Sequence, residues 1–310
     1  MTIRKVKAER IAVWAVLVTG MGVAAWLAPL ASVSSKPAVE SETATTEQAS
    51  GTVATVDTRK KLIDAEVQRL PGHPWAGEYY EGDGLGANIT ISLSPMAGVA
   101  ANWQGCLGLY GANAGLIEQA PNGNLAFKFS EPNPKGFGGF PEAVTPVRWG
   151  ARRYLVPPSR MLAFVNAINH GREPRTGSHG LFLLARGDET LPALGLPQIP
   201  DEYLASLRSK PLEVSVTKVE LLPDYRVEDY CEKRYRLTID HGSEDGLVVG
   251  VELEGKPPAD RNALLRIVDA DIGSAVGEIS VYEQNCTKPK NVPGRHWSYT
   301  TGAYTAAVGR

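Results

Sequence analysis

NITISLS, residues Asn88 to Ser94, decides the fold class: Ile89, Ile91 and Leu93 recur at every second position, with polar residues between them. A period of two places alternate side chains on opposite faces of an extended chain, so this segment is a strand with one face to bury. Leu125, Phe127 and Phe129 repeat the pattern after the turn Pro121-Asn122-Gly123-Asn124. Val99 to Tyr110 contains another strand, Val147 to Trp149 and Arg153 to Val156 form a hairpin about Gly150, and Gly180 to Arg186 returns to strand. One helix interrupts the series, with Ser159 as N-cap, Met161, Phe164, Val165 and Ile168 as its apolar stripe, and Gly171 as its stop. A Pro-rich run, LPALGLPQIPDEYL, closes this half.

The second half keeps the same period. Leu212 to Leu222 alternates, Tyr235, Leu237 and Ile239 form a strand ending at HGSEDGLVVG, Val249, Val251 and Leu253 make its neighbour, and Ile279 and Val281 mark another. Short strands separated by Gly and Asp turns predict a small barrel or sandwich. Composition agrees with a mainly β chain having few short helices: 32 Gly and 22 Pro in 310 residues, with 43% hydrophobic and 21% charged.

At the N-terminus, Ile11 to Leu30 is twenty residues without a charge, enough to cross about 30 Å of hydrocarbon at roughly 1.5 Å per residue. Arg4, Lys5, Lys7 and Arg10 precede it, so the positive-inside bias places Met1 in the cytoplasm and the chain beyond Ser32 outside it. The expectation is a transmembrane signal anchor in a bacterial inner membrane, with the remainder periplasmic or otherwise extracytoplasmic. A signal peptide cut within Ala31 to Ser35, releasing a periplasmic protein, is the alternative. The first cysteine is Cys106, which excludes a lipid-modified N-terminal cysteine, and Arg4-Lys5 is not a twin-arginine pair.

Ser32 to Thr58 is rich in Ser, Thr, Ala and Glu and has no aromatic residue, the composition of a flexible tether. Asp57 then caps a short helix carrying Leu62, Ile63, Val67 and Leu70, stopped by Pro71. The predicted plan is therefore an anchor over 1–31, a tether over 32–58, a β-rich domain with one internal helix over 59–200, and a barrel-like domain over 211–310. Beyond Ser35 the chain holds 28 basic and 33 acidic residues, net −5, which lacks the footprint of a nucleic-acid binder.

Leu237 to Val251 (LTIDHGSEDGLVVGV) resembles the strand, Gly-Ser-x-x-Gly-x-x-x-Gly turn and strand of exported β-barrel modules, including those of the rod-shape-determining protein MreC. That resemblance implies an envelope scaffold. Gly242, Gly246 and Gly250 fit positive φ and close backbone approach in a tight connection. EYYEGDGLGANITISL and CLGLYG resemble segments of uncharacterised exported bacterial proteins.

Five features could carry chemistry. The loop Glu81-Gly82-Asp83-Gly84-Leu85-Gly86 offers carboxylates, Asp83 above all, that could hold calcium, but it lacks EF-hand spacing, and a hairpin turn between Tyr79-Tyr80 and NITISLS is the preferred reading of the same residues. His170 and His179 flank GREPRTGS and, with Ser178, Asp188 or Glu189, could supply a base, a nucleophile or metal ligands. Their spacing of nine matches no zinc motif, and no metal or cofactor is expected. Arg148, Arg152, Arg153, Arg160, Arg172 and Arg175 concentrate positive charge; if they converge they bind carboxylate or phosphate groups, and otherwise they pair locally. Cys231 and Cys286 are candidates for a disulfide, leaving Cys106 as a buried odd thiol. Asn88-Ile89-Thr90 and Asn285-Cys286-Thr287 fit a glycosylation acceptor pattern.

G-x-S-x-G, H-E-x-x-H and P-loop motifs are missing from the sequence. The expected function is a non-catalytic interaction or scaffold role with an envelope protein or polymer as partner. An exported hydrolase or sugar-active enzyme using domain-one residues, and a small-ligand-binding barrel, are the alternatives.

Overall fold

A computed structural model describes residues 55–82, 88–135, 139–172, 174, 182–223, 225–227, 230–259, 264–284 and 292–304, with backbone only for 225–227, 230–231 and 282–284. The chain is mainly β and builds two closed antiparallel barrels. Asp83, His179 and Cys286, the side chain of Cys231, and the segment Ile11 to Leu30 lie outside the described residues. None of the described helices is long and apolar enough to cross a membrane.

Barrel one consists of β1 (Gly77–Glu81), β2 (Asn88–Ser94), β3 (Gly98–Gly105), β4 (Gly108–Gln119), β5 (Leu125–Phe129), β6 (Ala143–Trp149), β7 (Arg152–Val156) and β8 (Leu183–Ala185). Each strand pairs with the next in sequence, and β8 returns to β1 through Tyr79↔Ala185 and Tyr80↔Leu184. Ile89, Ile91 and Leu93 point inward and are almost fully buried, as their alternation requires. Tyr79, Val99, Ala101, Leu125, Phe127, Val144, Leu155 and Leu183 join them in one core. Eight strands enclose a space that such side chains fill.

The segment Val99 to Tyr110 holds parts of two strands, not one: β3 and β4 turn about Cys106 and Leu107. Cys106 sits at that turn and is exposed, contrary to the buried thiol expected, because a hairpin tip has no second layer over it. The hairpin about Gly150 forms as read, with Gly150 at φ 60°.

Two helices cover the outside of barrel one. The first, α1, spans residues 55–67, so Asp57 lies within it rather than capping it. Its Val56 and Ile63 pack on Ala100 and Ala114, whose small side chains admit a helix close to the sheet. Buried Glu66 accepts bonds from Ser94 Oγ (2.7 Å), Met96 N (3.0 Å) and Ala97 N (2.7 Å), closing the β2–β3 turn. Burial alone would raise its pKa, but these three bonds hold it below the ordinary carboxylate range.

The second helix, α2 (Met161–Asn169), connects β7 to β8. A 3₁₀ turn over Pro158–Arg160 precedes it, so Ser159 is not its N-cap; Pro158 opens the turn and no side-chain cap bond forms. Phe164 meets Tyr154 at 5.2 Å and Phe182 at 5.5 Å, both edge-on, among Val147, Trp149, Val156, Met161 and Leu184. The short α3 (Asp201–Leu204) follows barrel one.

Barrel two uses β9 (Glu213–Leu221), β10 (Tyr225–Val227), β11 (Tyr230–Ile239), β12 (Glu252–Gly255), β13 (Leu265–Ala270), β14 (Ala275–Gln284) and β15 (Ser298–Thr300). The ring runs β11-β14-β13-β12-β15-β9 and back to β11, with β10 continuing the edge of β11 beyond β9. Val214, Val216, Leu237, Ile239, Leu253, Leu265, Ile267 and Tyr299 fill it. The predicted neighbour of β11 is corrected: β12 pairs with β13 and β15, and Val249 is exposed in the preceding turn. Gly246 and Gly250 adopt φ of 75° and 96°. Gly242 instead serves close approach, since a Cβ there would stand 2.2 Å from Asp271 O.

Candidate functional site

Two places gather the polar residues that the sequence singles out. The first is the end of barrel one where β1 begins. Alternation along β7 sends Tyr154 outward to Phe164 and Arg153 and Leu155 inward; Arg148, directly opposite Arg153 on β6, shares the inward face. The β7–β8 register puts Arg153 level with Ala185, and Ala185 stands opposite Tyr79 on β1. One row of the inner wall therefore reads Arg148, Arg153, Ala185, Tyr79.

Asp188, just beyond β8, closes part of this row. Its Oδ2 accepts from Arg153 Nε (3.0 Å) and Arg153 N (2.9 Å), and its Oδ1 from Arg153 Nη2 (3.0 Å). Its side chain is 7% exposed, and a fork of this geometry holds both partners in register. Arg148 is exposed and takes no part in the fork. The Tyr79 hydroxyl is buried without a hydrogen-bond partner among the described residues. Burial pushes its ionisation upward; the charges acting on it are Arg153, Asp188 and Arg148.

Arg152, Arg160 and Arg172 do not converge on this row, and Arg175 lies outside the described residues. Arg152 faces the other side of the wall and donates to the carbonyls of Leu191 (2.6 Å) and Glu189 (3.0 Å). Arg160 lies exposed in the 3₁₀ turn, and Arg172 reaches Glu254 of barrel two at 3.4 Å.

The second place is the joint between the barrels, built on the face of α2 turned away from barrel one. Asn166 Nδ2 donates to Gly250 O (2.9 Å) while its Oδ1 accepts from Glu252 N (3.3 Å). Asn169 bridges Ser206 O (2.8 Å) and Arg208 N (3.0 Å). His170, at the helix end, places Nε2 3.1 Å from Glu252 O and Nδ1 3.3 Å from Glu254 Oε1, and its side chain has no exposed surface. Arg266 Nη2 donates to Glu252 Oε1 at 2.8 Å. His170 is thus enclosed by backbone and carboxylate on the outside of barrel one, and the barrel wall separates it from Arg148 and Arg153. No group of three or more His, Cys, Asp or Glu that could hold a metal occurs among the described residues.

Burial holds His170 below the ordinary imidazole range, with Glu254 pulling upward and Arg172 pushing downward. The unfolded chain therefore takes up this proton at a higher pH than the folded one. Its contribution to stability is full above about pH 6.5 and is lost as pH falls through the lower folded value. Denaturant titrations from pH 7.5 to 5 should show wild type losing more stability than His170→Gln. Parallel pH profiles would remove His170 as the cause.

Sequence reading missed Tyr79, Asn166 and Glu252. Tyr79 and Tyr80 are adjacent and chemically alike, so only the register identifies the inward one; the asparagines interrupt an apolar stripe, the one signal that α2 has a second, polar contact face. No protein-family model, curated protein or solved structure matches the chain.

Proposed function

We propose that this chain is a single-pass, non-catalytic protein of the bacterial cell envelope that presents its two barrels outside the cytoplasm to another envelope protein or polymer. The observation that carries this reading is the use made of its polar residues. His170, Asn166, Glu252 and Glu254 join one barrel to the other, Asn169 holds the connection between them, and no pair of these is left as a base beside a nucleophile. A hydrolase built on His170 with Arg148 and Arg153 would need them in one cleft, whereas the barrel wall stands between His170 and that pair. The uncharged run from Ile11 to Leu30 supports anchoring, and the polar stretch after it supports a reach away from the membrane surface.

The test is in-cell crosslinking at native expression, followed by purification of the full chain from membranes. A partner recovered in fixed stoichiometry is expected. Recovery of the monomer alone would sink the proposal.

A further inference from the structure

The inner row at the β1 end of barrel one carries more positive charge than the structure neutralises. Arg148 and Arg153 are cross-strand neighbours on the same face, and like charges directly opposite each other destabilise a ladder unless something stands between them. Asp188 supplies one negative charge, and it occupies only Nε and Nη2 of Arg153. One guanidinium charge and the Nη1 edge remain. Beneath them lies Tyr79, 0% exposed, whose hydroxyl finds no hydrogen-bond partner among the described residues although a buried phenol normally has one. On its β8 side the row continues into the small Ala185, while Ile91 stands opposite Tyr79 on β2, and at Gly77 an added Cβ would meet nothing nearer than 3.9 Å, Arg153 Nη1 being one of the two atoms there. The features coincide: surplus cation, unspent donors, a donor hydroxyl without an acceptor, and room beside it at Ala185 and Gly77.

We propose that this end of barrel one is a binding site for a single carboxylate or phosphate group, gripped by the Arg148 guanidinium and the Nη1 edge of Arg153, with the Tyr79 hydroxyl donating from below. Asp188 is the positioning residue: by holding Nε and Nη2 it fixes the plane of Arg153 and turns Nη1 to the ligand. The site takes one oxyanion because the row carries a net charge of one. It rests on the reading of the chain as a binding protein, and gives that reading a ligand chemistry: the acidic group of an envelope component.

The full chain, purified in detergent, is titrated with inorganic phosphate and separately with succinate, against sodium chloride at matched ionic strength. Calorimetry gives the Kd and thermal unfolding gives the ligand-dependent rise in Tm. At least one of the two anions should bind above the chloride control; which one does so assigns phosphate or carboxylate. Arg148→Met should weaken that binding about tenfold and Tyr79→Phe about threefold, the loss of a charged and of a neutral donor. Arg160→Met, in an exposed turn, should leave it unchanged. Tyr79→Phe removes only an oxygen, so a retained or raised Tm without ligand, together with weaker binding, separates a role in recognition from a role in folding. Neither anion binding above chloride, or Arg148→Met and Tyr79→Phe both keeping the wild-type Kd, overturns the site. If neither anion binds but a stoichiometric partner is still crosslinked, the binding-protein reading stands while this one falls.

Discussion

Asp188→Ala is expected to destabilise the folded chain by about 3–5 kcal/mol, because it removes one member of a largely enclosed charge pair and leaves Arg153 in the barrel wall without its counter-ion. The backbone of Arg153 loses an acceptor at the same time. Urea unfolding at pH 7.5 measures the effect, and Arg153→Met in the Asp188→Ala background should recover much of it, since an apolar pair of similar volume needs no counter-ion. Phosphate or succinate should also recover part of the loss, whichever of them the row binds. A cost below about 1 kcal/mol would mean that the fork is a surface ion pair of ordinary weight.

Asn166→Leu should cost about 2–4 kcal/mol, since it strands Gly250 O and Glu252 N, each worth about 1–3 kcal/mol when buried and unpaired. The loss falls on the joint, not on either core. Limited proteolysis should therefore cut the connection near residues 205–212 faster in the variant, while the T-shaped contacts of Phe164 keep barrel one resistant. An unchanged cleavage rate with an unchanged unfolding midpoint would show that the asparagine contacts do not hold the barrels together.

Much of the β character was legible because it is local. NITISLS, the Leu125 to Phe129 run and the hairpin about Gly150 carry their own period, and each forms where expected. Closure of the barrels was not legible. It depends on pairings such as β15 with β9 and β8 with β1, between residues whose separation along the chain leaves no periodic trace. The same limit hid the site: Arg148 and Arg153 stand out as a cluster, but which arginines face inward is a matter of register, and Tyr79 joins them only through β8. Small errors had local causes. Pro158 starts a 3₁₀ turn where a Ser159 cap was expected, and a two-residue hairpin at Cys106 divides what composition presents as a single strand.

The placement of α2 has a consequence for how the molecule can be taken apart. This helix is the link by which β7 reaches β8, so barrel one cannot dispense with it and remain closed. Its far side is already fitted to barrel two through Leu162 and Asn166, and to the connecting segment through Asn169. A cut after α3 would divide the chain neatly on paper, yet the first fragment would carry a scar of apolar and amide groups shaped for a missing neighbour. The two halves are separable as topologies and inseparable as surfaces.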